Sequence, residues 1–327
     1  MIRMLGRLST SLIYQRGLHT SRPTPAIPPA LWLLAKPLSR VAAALLGKGA
    51  KNWWRRLPAY RKTEVRDWIR GQRKKFIYAG GAVTGGVLYA YESHIQECPV
   101  TGKQRFVALY PDQVKKISRE EFQGLLKEFE DSIVPSNSKI YNRVVDVSNQ
   151  LLKGNRDIRQ IYDKSWTVTV VDQPVKNAFV LPSGHIFVFS GMLDLCTNDD
   201  QLAIILSHEM AHAILGHVAE QLTMSGFINM ILLVPMAVIW AMLPNDGIAL
   251  VMDWFVHKVT EICFHLPHSR KHEMEADEFG LQMAAKACFD VREAPALWEI
   301  MELIAEDPLE NDKDLEFLST HPVHSTR

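Results

Sequence analysis

The sequence predicts an α+β protein, mostly helical with a small sheet, preceded by one transmembrane helix. Three observations carry that expectation. Residues 76–91, FIYAGGAVTGGVLYAY, hold no charge and follow a strongly basic run. Residues 118–133 and 139–154 are patterned as amphipathic helices, and residues 165–193 are rich in β-branched and aromatic residues interrupted by turn formers. With 327 residues, 47% apolar and 22% charged, the chain has ample material for a core.

The N-terminal part is set apart by charge. No Asp or Glu precedes Glu64, whereas twelve Lys and Arg do. In residues 1–22, Arg3, Arg7, Arg16 and Arg22 are spaced among apolar residues, Ser and Thr, the composition of a mitochondrial presequence. A basic disordered tail or a nucleic-acid arm would share the charge. No basic cluster is interleaved with base-stacking aromatics, so no nucleic-acid partner is expected.

Residues 23–75 then form a basic segment and residues 76–91 the span. A span usually takes about 20 residues, and the flanking tyrosines extend this shorter one into the interfaces. Gly81 and Gly85 would let two such helices approach closely, a route to a homo-oligomer in the bilayer. The alternative is a buried glycine-rich helix of a soluble domain, but so many glycines weaken a helix in water. Lys and Arg crowd the residues before the span, and Glu92 and Glu97 follow it. That asymmetry leaves the basic end in the matrix and turns everything after residue 92 toward the intermembrane space.

Residues 92–327 read as one domain. Ser118 with Glu121 forms a capping box for one helix, and Ile140, Val144, Val147 and Leu151 mark the inner face of the next. Strands follow, with a tight turn at Pro182-Ser183-Gly184, and Asn198 with Gln201 caps a further helix. The strand at 186–191, IFVFSG, is either an edge to which an extended peptide adds or a buried strand of the core. Cys98, Cys196, Cys263 and Cys288 form no C-x-x-C pair, which leaves free thiols or two disulfides of open pairing.

The chemistry concentrates in LSHEMAHAILGH, residues 206–217. His208 and His212 stand four apart, hence on one face of a helix, where two imidazoles can bind one zinc ion; Glu209 beside them can hold a water. The bland reading is a core helix rich in histidine. A three-histidine metzincin site would need His at 218, which is Val218. His217 falls off the ligand face and reads as a polar group on the helix surface or behind the ligands. The third ligand is left to a later acidic helix, and residues 269–287 offer Glu273 and Asp277 four apart, with His272 pointing elsewhere.

H-E-x-x-H followed about sixty residues later by Arg270, Glu273, Ala276 and Asp277 in the pattern R-x-x-E-x-x-A-D resembles the zinc metallopeptidases that include HtpX and the CAAX prenyl protease. Residues 318–322, LSTHP, and the strand region 177–193 are also similar to that family. With the presequence and the span, the chain looks most like its mitochondrial inner-membrane Oma-type branch, whose activity overlaps the m-AAA protease. The resemblance implies a zincin-like domain binding one Zn²⁺ through His208, His212 and Glu273, with Glu209 as catalytic base. It implies that Asp277 orients a ligand, and that His321 and Arg327 approach the site from the C-terminal side, His321 as a donor to the oxyanion. It further implies stress-responsive cleavage of inner-membrane proteins, among them the dynamin-related fusion GTPase. A zinc-stabilised scaffold without catalysis is the competing reading, disfavoured because structural zinc sites fill four protein ligands.

One stretch resists a simple reading. Residues 227–243 are apolar but interrupted by Asn229 and Pro235, and residues 248–264 carry Asp253, His257, Lys258 and Glu261. A single crossing here would separate His208 and His212 from Glu273, and the charges make a full hairpin expensive in hydrocarbon. The insert 227–264 is therefore expected to be interfacial or re-entrant, or packed on the membrane-proximal face, which holds the site close to the bilayer.

Overall fold

The computed structural model describes residues 29–243, 245–306, 317 and 321; the expected presequence at 1–22 and Arg327 lie outside them. In chain order the elements are helices α1 (Pro29–Arg56), α2 (Ala59–Gly71) and α3 (Arg73–Ser93), strands β1 (Ile95–Glu97) and β2 (Gln104–Phe106), and helices α4 (Pro111–Glu128), α5 (Lys139–Gly154) and α6 (Arg159–Tyr162). Strands β3 (Thr167–Val171), β4 (Ala178–Val180) and β5 (His185–Phe189) follow, then α7 (Ser190–Leu195), α8 (Asp199–Leu215), α9 (His217–Met242), α10 (Asp246–Thr260), α11 (Leu266–Lys286) and α12 (Glu293–Glu306). The protein is α+β, mostly helical with small sheets, as expected. The described residues divide into two compact units, one drawn from residues 111–218 and 269–306 with 317 and 321, the other from 29–110 and 219–268.

The first unit is built on a three-stranded sheet in the order β3-β5-β4, with β3 parallel and β4 antiparallel to β5. The turn at Pro182-Ser183-Gly184 joins β4 to β5, and Gly184 takes φ 97°, a conformation that favours glycine. Strand β5 is the middle strand and buried, so of the two readings of residues 186–191 the core strand holds and the substrate-adding edge does not. Val171, Leu181, Phe187 and Phe189 pack with Phe122 of α4 into a core beside the sheet. Helix α4 begins at Pro111, and Ser118 lies buried inside it against Ser183 rather than capping a start. Helix α5 is capped by the Ser138 hydroxyl, which accepts from the Tyr141 N–H; Val144, Val147 and Leu151 are buried, while Ile140 is exposed.

Helix α8 is buried almost all round, which its nearly continuous apolar sequence allows. Its first turn is capped by Asn198, whose Oδ1 accepts from the Gln201 N–H at 2.8 Å. The cap is held in turn by Glu293, which accepts from Asn198 Nδ2 at 3.1 Å and Gln201 Nε2 at 3.0 Å. Gly216 ends the helix in the left-handed conformation, φ 76°, and α9 starts at once with His217.

The second unit contains α1 to α3, the β1–β2 hairpin, α10 and the greater part of α9. Phe106 of β2 packs against Tyr91 in a tilted contact and against Phe227 edge to face, with ring centroids 4.8 and 5.0 Å away. Arg105 and Glu220 form a buried ion pair at 2.7 Å. Helix α1 crosses α9 closely at Gly47, where a Cβ would collide with Trp240 and the Ala237 carbonyl. Lys48 and Lys51 of α1 each reach Asp246 at 3.0 Å, which fastens α1 to the start of α10.

The stretches read as membrane-related lie in helices α3, α9 and α10. The stretch 76–91 is helical within α3 and none of its residues is buried. Among the described residues, however, the one helix long and apolar enough to cross a membrane by length and composition is α9, His217–Met242, and only 17% of its most apolar stretch is buried. The insert 227–264 falls on two helices: α9 runs through Pro235 to Met242, and α10 begins at Asp246 and leads into a π-helical turn, Glu261–His265. Among the described residues the four cysteines are free, Cys98 and Cys196 buried, Cys263 and Cys288 exposed.

Candidate metal centre

Two helices and a short C-terminal segment bring the sequence-selected residues together. His208 and His212 project from one face of α8, with Nε2 atoms 3.2 Å apart. Glu273 of α11 lies opposite, Oε2 at 3.4 Å from His208 Nε2 and Oε1 at 3.5 Å from His212 Nε2. Helices α8 and α11 approach this closely because residue 280 is glycine: a Cβ there would stand 2.9 Å from the His208 nitrogen and 3.0 Å from its Cα.

His321 enters the same group. Its Nδ1 is 2.8 Å from Glu273 Oε2 and 3.3 Å from His208 Nε2, and its Nε2 is 3.3 Å from Glu209 Oε1. The ring rests on Phe317 at 4.7 Å, and the Phe317 N–H donates to the Lys176 carbonyl just before β4. Four residues, His208, His212, Glu273 and His321, thus offer ligating atoms that all lie within 4.8 Å of one another. Beside the three expected ligands a fourth donor, the His321 imidazole, stands within the group.

The donor set fits zinc. Nitrogen and carboxylate oxygen bind Zn²⁺ at about 2.0–2.2 Å, and tetrahedral ligands at that range are separated by about 3.3 Å. The separations of 3.2, 3.4 and 3.5 Å between His208, His212 and Glu273 match that spacing.

The remaining contacts aim the ligands. His208 Nδ1 is 2.9 Å from Asp277 Oδ1, one turn after Glu273 on α11, so Asp277 holds the ring with Nε2 facing the centre. Glu209 is 3% exposed, and its carboxylate accepts from the Val180 N–H of β4, which ties the α8 motif to the edge strand of the sheet.

Electrostatics follow from this burial. Desolvation opposes charge on His208, but hydrogen bonds to Asp277 and Glu273 outweigh it and raise its pKa to about 9. Burial and the neighbouring His208 hold His212 well below the ordinary histidine value. Burial pushes Glu209 up, against the pull of His321 and His208. Burial also opposes ionisation of Glu273, yet hydrogen bonds from His208 and His321 carry it well below the usual carboxylate range.

His217 is neither exposed nor a member of the donor group. It is 2% exposed, with Nδ1 3.0 Å from His212 Nδ1, and it stacks on His272, which is itself buried. Of the two places the sequence left open, the helix surface and the space behind the ligands, His217 takes the second; the surface position would need the helix to run on through 217. Gly216 breaks it, and the turn brings the His217 ring back behind His212. The sequence carried that signal, since glycine after a run of apolar helix is a stop. Glu275, Val180 and Gly280 were not singled out, because their parts depend on tertiary approach.

Comparison with known proteins agrees with this geometry. The family described as Peptidase family M48 matches residues 144–327. The mitochondrial metalloendopeptidase OMA1 of Danio rerio is 41% identical over 325 residues, which cover 98% of this chain and 68% of that protein. Its Homo sapiens counterpart is 37% identical over 316 residues, covering 95% and 60%. The Schizosaccharomyces pombe mitochondrial metalloendopeptidase OMA1 is 33% identical over 258 residues, covering 79% and 71%. The chain therefore spans between 60% and 71% of the length of these relatives.

Proposed function

The chain belongs to peptidase family M48 and is a mitochondrial metalloendopeptidase, and from that premise we propose that it is zinc-dependent and cuts membrane-anchored proteins at the mitochondrial inner membrane. The observation that carries this reading is the convergence of His208, His212 and Glu273 at ligand spacing with Glu209 buried against them. When bound, zinc supplies the acidity that makes water a nucleophile at neutral pH and the charge that polarises a carbonyl.

The protein groups do the rest. Glu209, fixed by the Val180 N–H, takes the proton of the attacking water and returns it to the leaving amine. Burial raises its affinity for that proton, which suits a group that must hold it between the two transfers. Strand β4 pairs with β5 on one side alone, and Val180 at its end touches Glu209, so β4 is the edge that supports an extended substrate beside the centre. His321, within 3.3 Å of Glu209, is the donor for the oxyanion. Asp277 acts through His208, and Arg327 is assigned to the same C-terminal contribution as His321.

Location supports the substrate class. The presequence composition, the unburied apolar surface of α3 and the length of α9 favour an inner-membrane protein with the peptidase residues facing the intermembrane space. Substrates there include, by family likeness, the dynamin-related fusion GTPase cut under stress.

Glu209→Gln tests the assignment. Purified full-length protein should keep one zinc per chain and lose cleavage by about 10²–10⁴-fold. Full cleavage with zinc retained would remove Glu209 from the mechanism. His321→Ala should lower kcat by about 10²-fold while zinc stays bound; higher activity would instead make His321 a fourth ligand that holds the site closed.

A further inference from the structure

A histidine that gives Nε2 to a metal has Nδ1 left for the protein to grip, and the two ligand histidines are gripped differently. His208 Nδ1 meets a carboxylate directly, Asp277 Oδ1 at 2.9 Å. His212 Nδ1 meets another imidazole, His217 Nδ1 at 3.0 Å, and His217 Nε2 in turn stands 3.3 Å from Glu275 Oε2.

The proton positions along this chain follow from what each end accepts. Of two ring nitrogens 3.0 Å apart, one must donate and the other accept. A carboxylate accepts only, so Glu275 requires the proton of His217 on Nε2. That leaves His217 Nδ1 as acceptor, and His212 must then carry its own proton on Nδ1. Its Nε2 is left bare, pointing at Glu273 and His208, as ligation requires. The other tautomer of His217 would push the His212 proton onto Nε2, where it blocks a metal.

The surroundings hold the relay in place. His217, Glu275 and His272 are 2%, 4% and 5% exposed, so solvent does not scramble the hydrogen bonds. His272 lies flat on His217, with centroids 4.2 Å apart and planes within 8°. Helix α11 supplies both the ligand Glu273 and, two residues on, the Glu275 that ends the relay, on separate faces of one rigid element.

We infer that His217 and Glu275 are positioning residues that fix the Nδ1–H tautomer of His212 and thereby set the affinity of the centre for zinc, without touching metal or substrate. The inference rests on His212 being a ligand.

The test uses the full-length protein in detergent, with zinc affinity read by chelator competition and the tautomer of His212 read by ¹⁵N shifts after selective histidine labelling. His217→Phe keeps the stack on His272 and removes both hydrogen bonds. It should weaken zinc binding about 10–100-fold and leave His212 as a mixture of tautomers in zinc-stripped protein, with KM of the zinc-saturated enzyme unchanged. His217→Asn, which still accepts and donates, should recover most of the affinity. Should His217→Phe fail to fold, Glu275→Gln takes its place: its amide can donate as well as accept, so the tautomer should mix and affinity should fall. Wild-type affinity and a single His212 tautomer in a folded variant would overturn the relay. His212→Ala separates the two readings: if it binds zinc normally, His212 is no ligand, whereas lost zinc there with normal zinc in His217→Phe condemns the relay alone.

Discussion

His208 shows how much one imidazole is asked to do. To bind zinc it must be neutral, yet in the metal-free protein its contacts with Asp277 and Glu273 hold its pKa at about 9. Below that value zinc must expel a proton from His208. Glu273, held well below the usual range, and His212, held well below 6.5, are already in their binding forms at neutral pH and add no proton. The sign is therefore fixed: zinc affinity should fall about tenfold for each unit that pH drops below about 9, at 1.36 kcal/mol per unit, and level off above it. Calorimetry in buffers of different ionisation enthalpy should count about one proton released per zinc at pH 7. Release of none would mean that His208 is neutral before the metal arrives. The same raised pKa stabilises the metal-free fold at pH below 6.5, and that contribution is lost as pH climbs through about 9.

At the scale of elements, the crossing of α8 and α11 matters more than either helix alone. Gly280 lies against the backbone of His208, which cannot swing aside as a side chain would. Gly280→Ala should force the helices apart by a few tenths of an ångström, cost about 1–3 kcal/mol of stability and draw Glu273 and Asp277 away from His208. Thermal unfolding of the zinc-free protein and chelator competition measure the two effects. Unchanged values in both would show that the crossing relaxes freely. The helices themselves were legible in the sequence: the apolar run of α8, its Asn198 cap and the Glu273/Asp277 spacing placed the ligands on the right faces, because helix periodicity is a local property. Strand order was not legible. Residues 186–191 could be an edge or a core strand, because hydrophobic alternation is the same for a middle and an outer strand; β5 becomes central only when β3, earlier in the chain, pairs with it in parallel. For His217 the sequence left two places open, the helix surface and the space behind the ligands; the local stop at Gly216 decides for the second.

At the scale of the whole chain, the constraint is topological. His208 and His212 precede α9, Glu273 follows α10, and the three meet within ligand reach. Any excursion made by α9 must therefore be undone before residue 273. Charges at Asp253, His257, Lys258 and Glu261 argued against a return through the bilayer. All four are paired within α10 and its π-helical turn, Asp253 with His257 at 3.8 Å and Lys258 with Glu261 at 2.8 Å, which lowers the cost of carrying them through an apolar setting. Ile248, Leu250, Val251, Trp254, Phe255 and Val259 of α10 are exposed apolar side chains, a surface suited to lipid. Single cysteines placed in a chain with its four native cysteines replaced by serine can decide the matter in mitoplasts with a membrane-impermeant maleimide. Arg156→Cys and Gln282→Cys, both at exposed positions on either side of the insert in sequence, should label together from the intermembrane-space side. Ile248→Cys, at the start of α10, should label only after the inner membrane is opened. Labelling of residues 156 and 282 from opposite sides would break the single metal centre, whereas labelling of residue 248 from the same side as the other two would keep the centre and reduce α9 and α10 to a segment that enters the bilayer without crossing it.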